Sequence, residues 1–254
     1  MTPPVLPLDQ SACAQAPIVP LLDTSDDTSG DVLLGVAHVP QGVELRLLQH
    51  GDDFTIMLEE TELMSTLASH SEEALAQMTC ARLTGIAAPQ MLIGGYGMGF
   101  TLRAALAALP REAGVFVAEI VPEILAWARG PMHALTAGCL DDPRVMVVED
   151  DVAMLIAAAR EGYDAILLDV DNGPEGLTRW QNDALYSPLG LAAAWRALRP
   201  GGILAVWSAW FDPAFTERLE DAGFAVSAQT VGSRPDGEVY DHTLWFARRP
   251  EQAA

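Results

Sequence analysis

Hydrophobic and polar positions change their rhythm twice along the 254-residue chain. The first thirty residues are rich in Pro, Asp, Ser and Thr, and "DTSDDTSG" has no apolar period, so 1–30 reads as a flexible segment. Two alternating runs then flank "HGDD" in "VELRLLQHGDDFTIMLEE", the pattern of a β-hairpin, and 31–69 is expected to form a small β unit. From "SEEALAQMTCARLTGI" onward, short apolar strands alternate with helical stretches, and 70–254 reads as one α/β domain.

Strands are predicted at Met91 to Gly94, Val115 to Glu119, Val145 to Val148, Ala165 to Asp169, Ile203 to Trp207 and Ala225 to Gln229. Between them, Thr101 to Leu109, Val121 to Ala137, Val152 to Glu161 and Leu189 to Leu198 carry apolar faces at helical spacing. That order predicts a doubly wound, mostly parallel sheet. The last run, "YDHTLWFARRP", follows "GSRPDGE", which is too short for a crossover helix, so it enters antiparallel at or near the sheet edge.

In such a sheet, ligands bind beyond the strand carboxyl ends, beside the first strand. There the chain reads "LIGGYGMGFTLR", with Gly95, Gly97 and Gly99 spaced G-x-G-x-G. Glycines at this point let the backbone turn and approach a ligand closely. The dinucleotide fingerprint fails because its third glycine falls on Phe100, which disfavours a nicotinamide enzyme; the shorter spacing is the form nucleoside-sulfonium sites use, with a plain tight turn as the alternative reading. Three further strand ends supply acids: Glu119 about twenty residues on, suited to ribose hydroxyls; Asp150, suited to an adenine amino group; and Asp169. Asp151 competes with Asp150 and equally suits a helix N-cap.

Charge narrows the partners. The formal net charge is −21, and all fourteen basic residues are arginine. An acidic surface repels nucleic acid and anionic membranes and attracts cationic substrates. Cys13, Cys80 and Cys139 form no CxxC pair and have no histidine at ligand spacing, so neither a disulfide framework nor a metal site is expected. The start of the chain lacks a basic region with an apolar core, and the expectation is a cytoplasmic protein. His70 and His242 read as structural or solvent-facing rather than as acid/base groups, and Trp207 and Trp210 as covers for the sheet end.

The runs "LIGGYGMGFTLR", "FVAEIVPEILAWAR", "DDPRVMVVEDD", "YDAILLDVDNGPEG" and "LRPGGILAVWS" together resemble the spermidine synthase (polyamine aminopropyltransferase) family, of the S-adenosylmethionine-dependent methyltransferase fold. The similarity spans roughly Glu44 to Phe246. It implies a Rossmann-like methyltransferase fold, an amine acceptor, a homodimer, and S-adenosylmethionine or its decarboxylated form as co-substrate. By that resemblance Gly95, Gly97 and Gly99 line the aminopropyl end of the donor, Glu119 holds its ribose, and Asp150 contacts its adenine. Asp169 and Asp171 fall in the catalytic loop, which in the family positions and deprotonates the attacking amine. "SHSEEALAQM" sits where the family has a Tyr-His-Glu segment, which matches Glu72 or Glu73 to the substrate pocket, with Glu73 preferred; Tyr186 is an acceptor-side contact on the lid.

Two positions depart from the family pattern. Aligning on "TLR" puts Met98 where the family has an aspartate that grips the donor's ammonium, and the catalytic loop reads "DVDNGP" instead of D-S-[ST]-D-P. The expected activity is aminopropyl transfer. A methyltransferase or other S-adenosylmethionine-using enzyme on the same frame is the alternative, followed by a non-catalytic adenosyl-binding homologue.

Overall fold

The computed structural model describes residues 30–40, 43–170, 173–174, 183–235 and 241–251. The expected flexible segment 1–30 lies outside them but for Gly30. Residues from Asp31 onward pack as one compact unit built on two sheets.

The first sheet is an antiparallel meander of β1 (Val32–His38), β2 (Glu44–His50), β3 (Asp53–Leu58) and β4 (Thr61–Ser65). The expected hairpin is β2–β3, closed at Gly51 and Asp52 with Gly51 at a positive φ that suits glycine. Strands β1 and β4 extend that hairpin on both sides. Their alternation is weak: β1 has partly exposed apolar residues, and β4 sets Glu62 before Leu63 and Met64.

The second sheet has the order β10-β11-β9-β8-β5-β6-β7. Strands β5 (Gln90–Gly94), β6 (Gly114–Ala118), β7 (Val145–Val148), β8 (Tyr163–Leu168) and β9 (Leu198–Ser208) run parallel. β11 (Asp241–Arg248) lies antiparallel between β9 and β10 (Ala225–Gly232), one strand in from the edge. This is the expected Rossmann-like methyltransferase topology.

Strand periodicity divides the core. Met91, Ile93, Ala165 and Leu167 point into one apolar cluster, and Leu92, Ile166 and Leu168 into the other. The first cluster also contains Leu45, Leu47 and Ile56 of the meander. The change at residue 70 is therefore a change of architecture within shared packing. Helices α1 (His70–Ala81), α2 (Phe100–Ala108), α3 (Pro122–Arg129), α4 (His133–Thr136), α5 (Val152–Ala158), α6 (Asp183–Tyr186), α7 (Pro188–Ala197) and α8 (Pro213–Asp221) complete the layers. The helix expected over Val121 to Ala137 is interrupted at Gly130, where the backbone leaves helical geometry and the chain restarts as α4. Among the described residues no helix is long and apolar enough to cross a membrane.

Candidate functional site

The glycine loop joins β5 to α2, and its backbone is shaped by positive φ at Gly95, Gly97 and Gly99. A Cβ on Gly95 would collide with the Asp169 carbonyl oxygen, so no side chain fits between the ends of β5 and β8. Gly95 and Gly97 line a cleft of about 650 Å³, within the range of small-molecule sites. Gly99 does a different job: it caps the start of α2 in the left-handed conformation, with the Tyr96 ring packed where its Cβ would be. The sequence pattern cannot separate these roles, because all three glycines satisfy the same spacing.

Glu119, at the end of β6, is buried, and its two carboxylate oxygens each accept a backbone N–H at 2.9 Å, from Tyr96 and from Val121. Burial pushes its pKa up, and these N–H donors oppose the shift. The carboxylate thus braces the glycine loop while lining the cleft, and each oxygen keeps acceptor capacity for a ligand hydroxyl. Asp150 and Asp151 both line the cleft. Asp151 is the N-cap of α5, accepting from Ala153 N at 2.9 Å, whereas exposed Asp150 accepts the backbone N–H of Asp151. Ile120 and Val152, beside these acids, add apolar lining that charge-based reading of the sequence passes over.

Two more carboxyls lie deeper. Asp169, just past β8, accepts a 2.6 Å hydrogen bond from Thr101 Oγ1 of α2. Glu72, in the first turn of α1, is 5% exposed and lines the same cleft. Burial raises both, Asp169 to about 6 and Glu72 to about 8, and the nearby Asp169 charge adds to the shift at Glu72. A hydroxyl donor favours the charged form of each, Thr101 Oγ1 for Asp169 and Ser71 Oγ for Glu72, while the Asp169 charge favours the protonated form of Glu72.

Behind Glu72 is a polar cluster with one oxygen at its centre. Fully buried Ser71 Oγ lies 2.6 Å from Glu72 Oε2, 2.8 Å from His242 Nδ1 and 3.0 Å from Trp207 Nε1. Trp207 and His242 also line the cleft, and their rings are 4.7 Å apart. His242 was expected to be an isolated structural or solvent-facing histidine. It instead joins the site, because pairing of β11 with β9 carries it next to Trp207.

The remaining candidates sort by geometry. Glu73 is not among the cleft-lining residues and accepts from Ser69 Oγ at 3.3 Å; the helix turn that brings Glu72 inward directs Glu73 elsewhere. Tyr186 does not line the cleft either. It is buried in the other apolar cluster, edge-on to Phe215 of α8. Met98 is fully buried in the core rather than facing the cleft. Asp171 lies outside the described residues.

The wall opposite the strand ends comes from the meander, including Ile56, Leu63 and Met64. Among the described lining residues, the carboxyls of Glu62, Glu72, Glu119, Asp150, Asp151 and Asp169 face a single arginine, Arg234. Such a site favours a cationic ligand.

No family model matches the chain. In sequence it is similar to a polyamine aminopropyltransferase from Mycobacterium tuberculosis, 29% identical over 201 residues, which cover 74% of this chain and 36% of that protein. It is also similar to putrescine N-methyltransferase 4 from Nicotiana tabacum, 36% identical over 116 residues, covering 45% and 28% of the respective chains. The chain thus spans about a third of the length of the curated relatives it matches. The crystal structure of spermidine synthase from Thermotoga maritima superimposes with a TM-score of 0.68 at 17% identity, over 85% of this chain and 72% of that one. These likenesses bear out the resemblance to the spermidine-synthase-like proteins and the fold.

Proposed function

We propose that the protein is an aminopropyltransferase that moves the aminopropyl group of decarboxylated S-adenosylmethionine to an amine acceptor. The observation that carries this reading is the surplus of carboxyls in the cleft. Donor and acceptor are both cationic, and an acidic cleft concentrates and orients them. The relatives named as acting on polyamines and putrescine support the same substrate class.

Each residue has a task in the reaction. Gly95 and Gly97 admit the sulfonium arm, Glu119 accepts from the ribose hydroxyls, and Asp150 accepts from the adenine amino group, with Ile120 and Val152 as apolar lining for the ring. The acceptor nitrogen attacks the aminopropyl carbon bonded to sulfur. A C–N bond forms, the C–S bond breaks, and the electron pair stays on sulfur, releasing neutral methylthioadenosine. The nitrogen sheds a proton, and Asp169 takes it as the general base. Asp171 completes the pair implied by the family loop.

Methyl transfer is the second reading, and Met98 is the observation that favours it. Its neutral, buried thioether supplies no carboxylate to the ammonium of a decarboxylated donor. That loses an interaction worth roughly 1.5 to 3 kcal/mol for a hydrogen bond to a charged group. Mass spectrometry of products, with each donor and a panel of di- and polyamines, separates the readings. Methylthioadenosine formed only from the decarboxylated donor with an amine is the expected result. S-adenosylhomocysteine from the ordinary donor would replace the proposal with methyl transfer, and tight binding with neither product would leave a binding protein. Homodimerisation belongs to the same proposal, with light scattering as its test.

A further inference from the structure

The Ser71 hydroxyl has one proton and two lone pairs, and it meets three polar neighbours. Trp207 Nε1 can only donate, so it occupies one lone pair. One proton and one lone pair remain for Glu72 and His242, so the hydroxyl donates to one of them and accepts from the other, and two such arrangements differ by the place of one proton. In the first, a Glu72 carboxyl proton is donated to Ser71, and Ser71 donates to His242 Nδ1. In the second, Ser71 donates to a Glu72 carboxylate and accepts from His242 Nδ1–H. Passing between them moves one proton from Glu72 to His242 through Ser71, with no heavy atom changing place.

We propose that Ser71 relays a proton between Glu72 and His242, making these residues the exit path for the proton an acceptor amine loses on alkylation. The proposal rests on the aminopropyl-transfer reading above. The relay starts with Glu72 protonated and Asp169 ionised, the form of Asp169 that the hydrogen bond from Thr101 Oγ1 favours. Alkylation delivers a second. The excess passes from Glu72 to Ser71 as Ser71 gives its own proton to Nδ1, the imidazole, partly exposed in the cleft wall, releases its Nε2 proton to water, and the proton taken up by Asp169 refills Glu72 through water in the cleft that both line. Among the described residues, the titratable and charged groups around Glu72 and His242 are Asp169 past β8, Glu73 beside Glu72 on α1 and Asp241 beside His242 on β11, with Arg234 past β10 in the same cleft. Trp207 fixes the path by blocking the other lone pair. Glu72 and Asp169 act on the substrate side, and Ser71 and His242 act through them.

Nitrogen-15 NMR of the histidines across about pH 6 to about pH 9 tests the relay without requiring turnover. His242, assigned by loss of its signals in His242→Phe, is expected to change from the Nε2–H to the Nδ1–H tautomer as Glu72 ionises. Glu72→Gln, with no proton to lose, is expected to hold one tautomer throughout. In single-turnover transfer, Ser71→Ala is expected to slow the chemical step about 10²-fold, the low end for positioned acid–base groups, with adenosyl-ligand affinity unchanged. Ser71→Thr, which keeps the hydroxyl, is expected to recover most of that rate. One tautomer at all pH values in the wild-type protein, or a wild-type rate and pH profile in Ser71→Ala, would overturn the relay. Absence of aminopropyl transfer by the wild-type protein would overturn both the functional reading and the exit path. A silent titration beside working transfer would overturn the relay alone.

Discussion

Individual carboxyls in the cleft have different work because their surroundings differ. Glu119 faces two backbone donors of the loop it braces, so Glu119→Ala removes both a ligand contact and a loop support. Calorimetry of adenosyl-ligand binding is expected to show a loss of about 1.5 to 3 kcal/mol, and unchanged affinity would remove its ribose role. Asp169 works as a base only when ionised, so the transfer rate should rise as pH increases through about 6. Asp169→Asn should abolish turnover and that limb while ligand binding persists; a surviving rate would take it out of the mechanism. Glu72 gives the converse signature in stability. Its pKa is raised in the folded protein from 4.5 to about 8, so between those values the folded state holds a proton the unfolded chain has released. Stability should fall as pH rises through that window, and denaturation of Glu72→Gln should show a flatter slope. Equal slopes in both proteins would contradict the buried, protonated assignment.

Helices and strands decide which residues can act together. The first turn of α1 presents Glu72 to the cleft, buries Ser71 behind it and leaves Glu73 to Ser69, since successive helical residues turn by roughly 100°. The same segment "SHSEE" allows either acid, and only the phase of the helix against β9 and β11 chooses. At the third strand end, Asp151 is committed to the first turn of α5. Asp151→Ala should cost about 1 kcal/mol of stability, measured by denaturant titration, with adenosyl affinity retained. A large loss of affinity with unaltered stability would move the ligand contact from Asp150 to Asp151.

At the scale of the whole molecule, the meander and the parallel sheet share one apolar cluster, and the cleft opens between the meander's inner face and the strand ends. A net charge of −21 surrounds that acidic opening with a field that draws cations. The KM for a polyamine should therefore rise severalfold as ionic strength goes from about 0.01 M to about 0.15 M, across which the screening length shortens from about 30 Å to about 8 Å. A KM indifferent to salt would limit the charge to solubility.

The strand and helix order, the glycine loop and the acids at strand ends were determined by the sequence itself. All depend on local period and on position just past an apolar run, which neighbouring residues encode. Only the tertiary structure decided that His242 and Trp207 meet Ser71, across 171 and 136 positions, that Tyr186 belongs to the core, and that Gly99 caps a helix while Gly95 and Gly97 face the cleft. It also set β11 between β9 and β10. Those contacts join distant segments through packing and sheet register, and neither leaves a periodic trace in the chain.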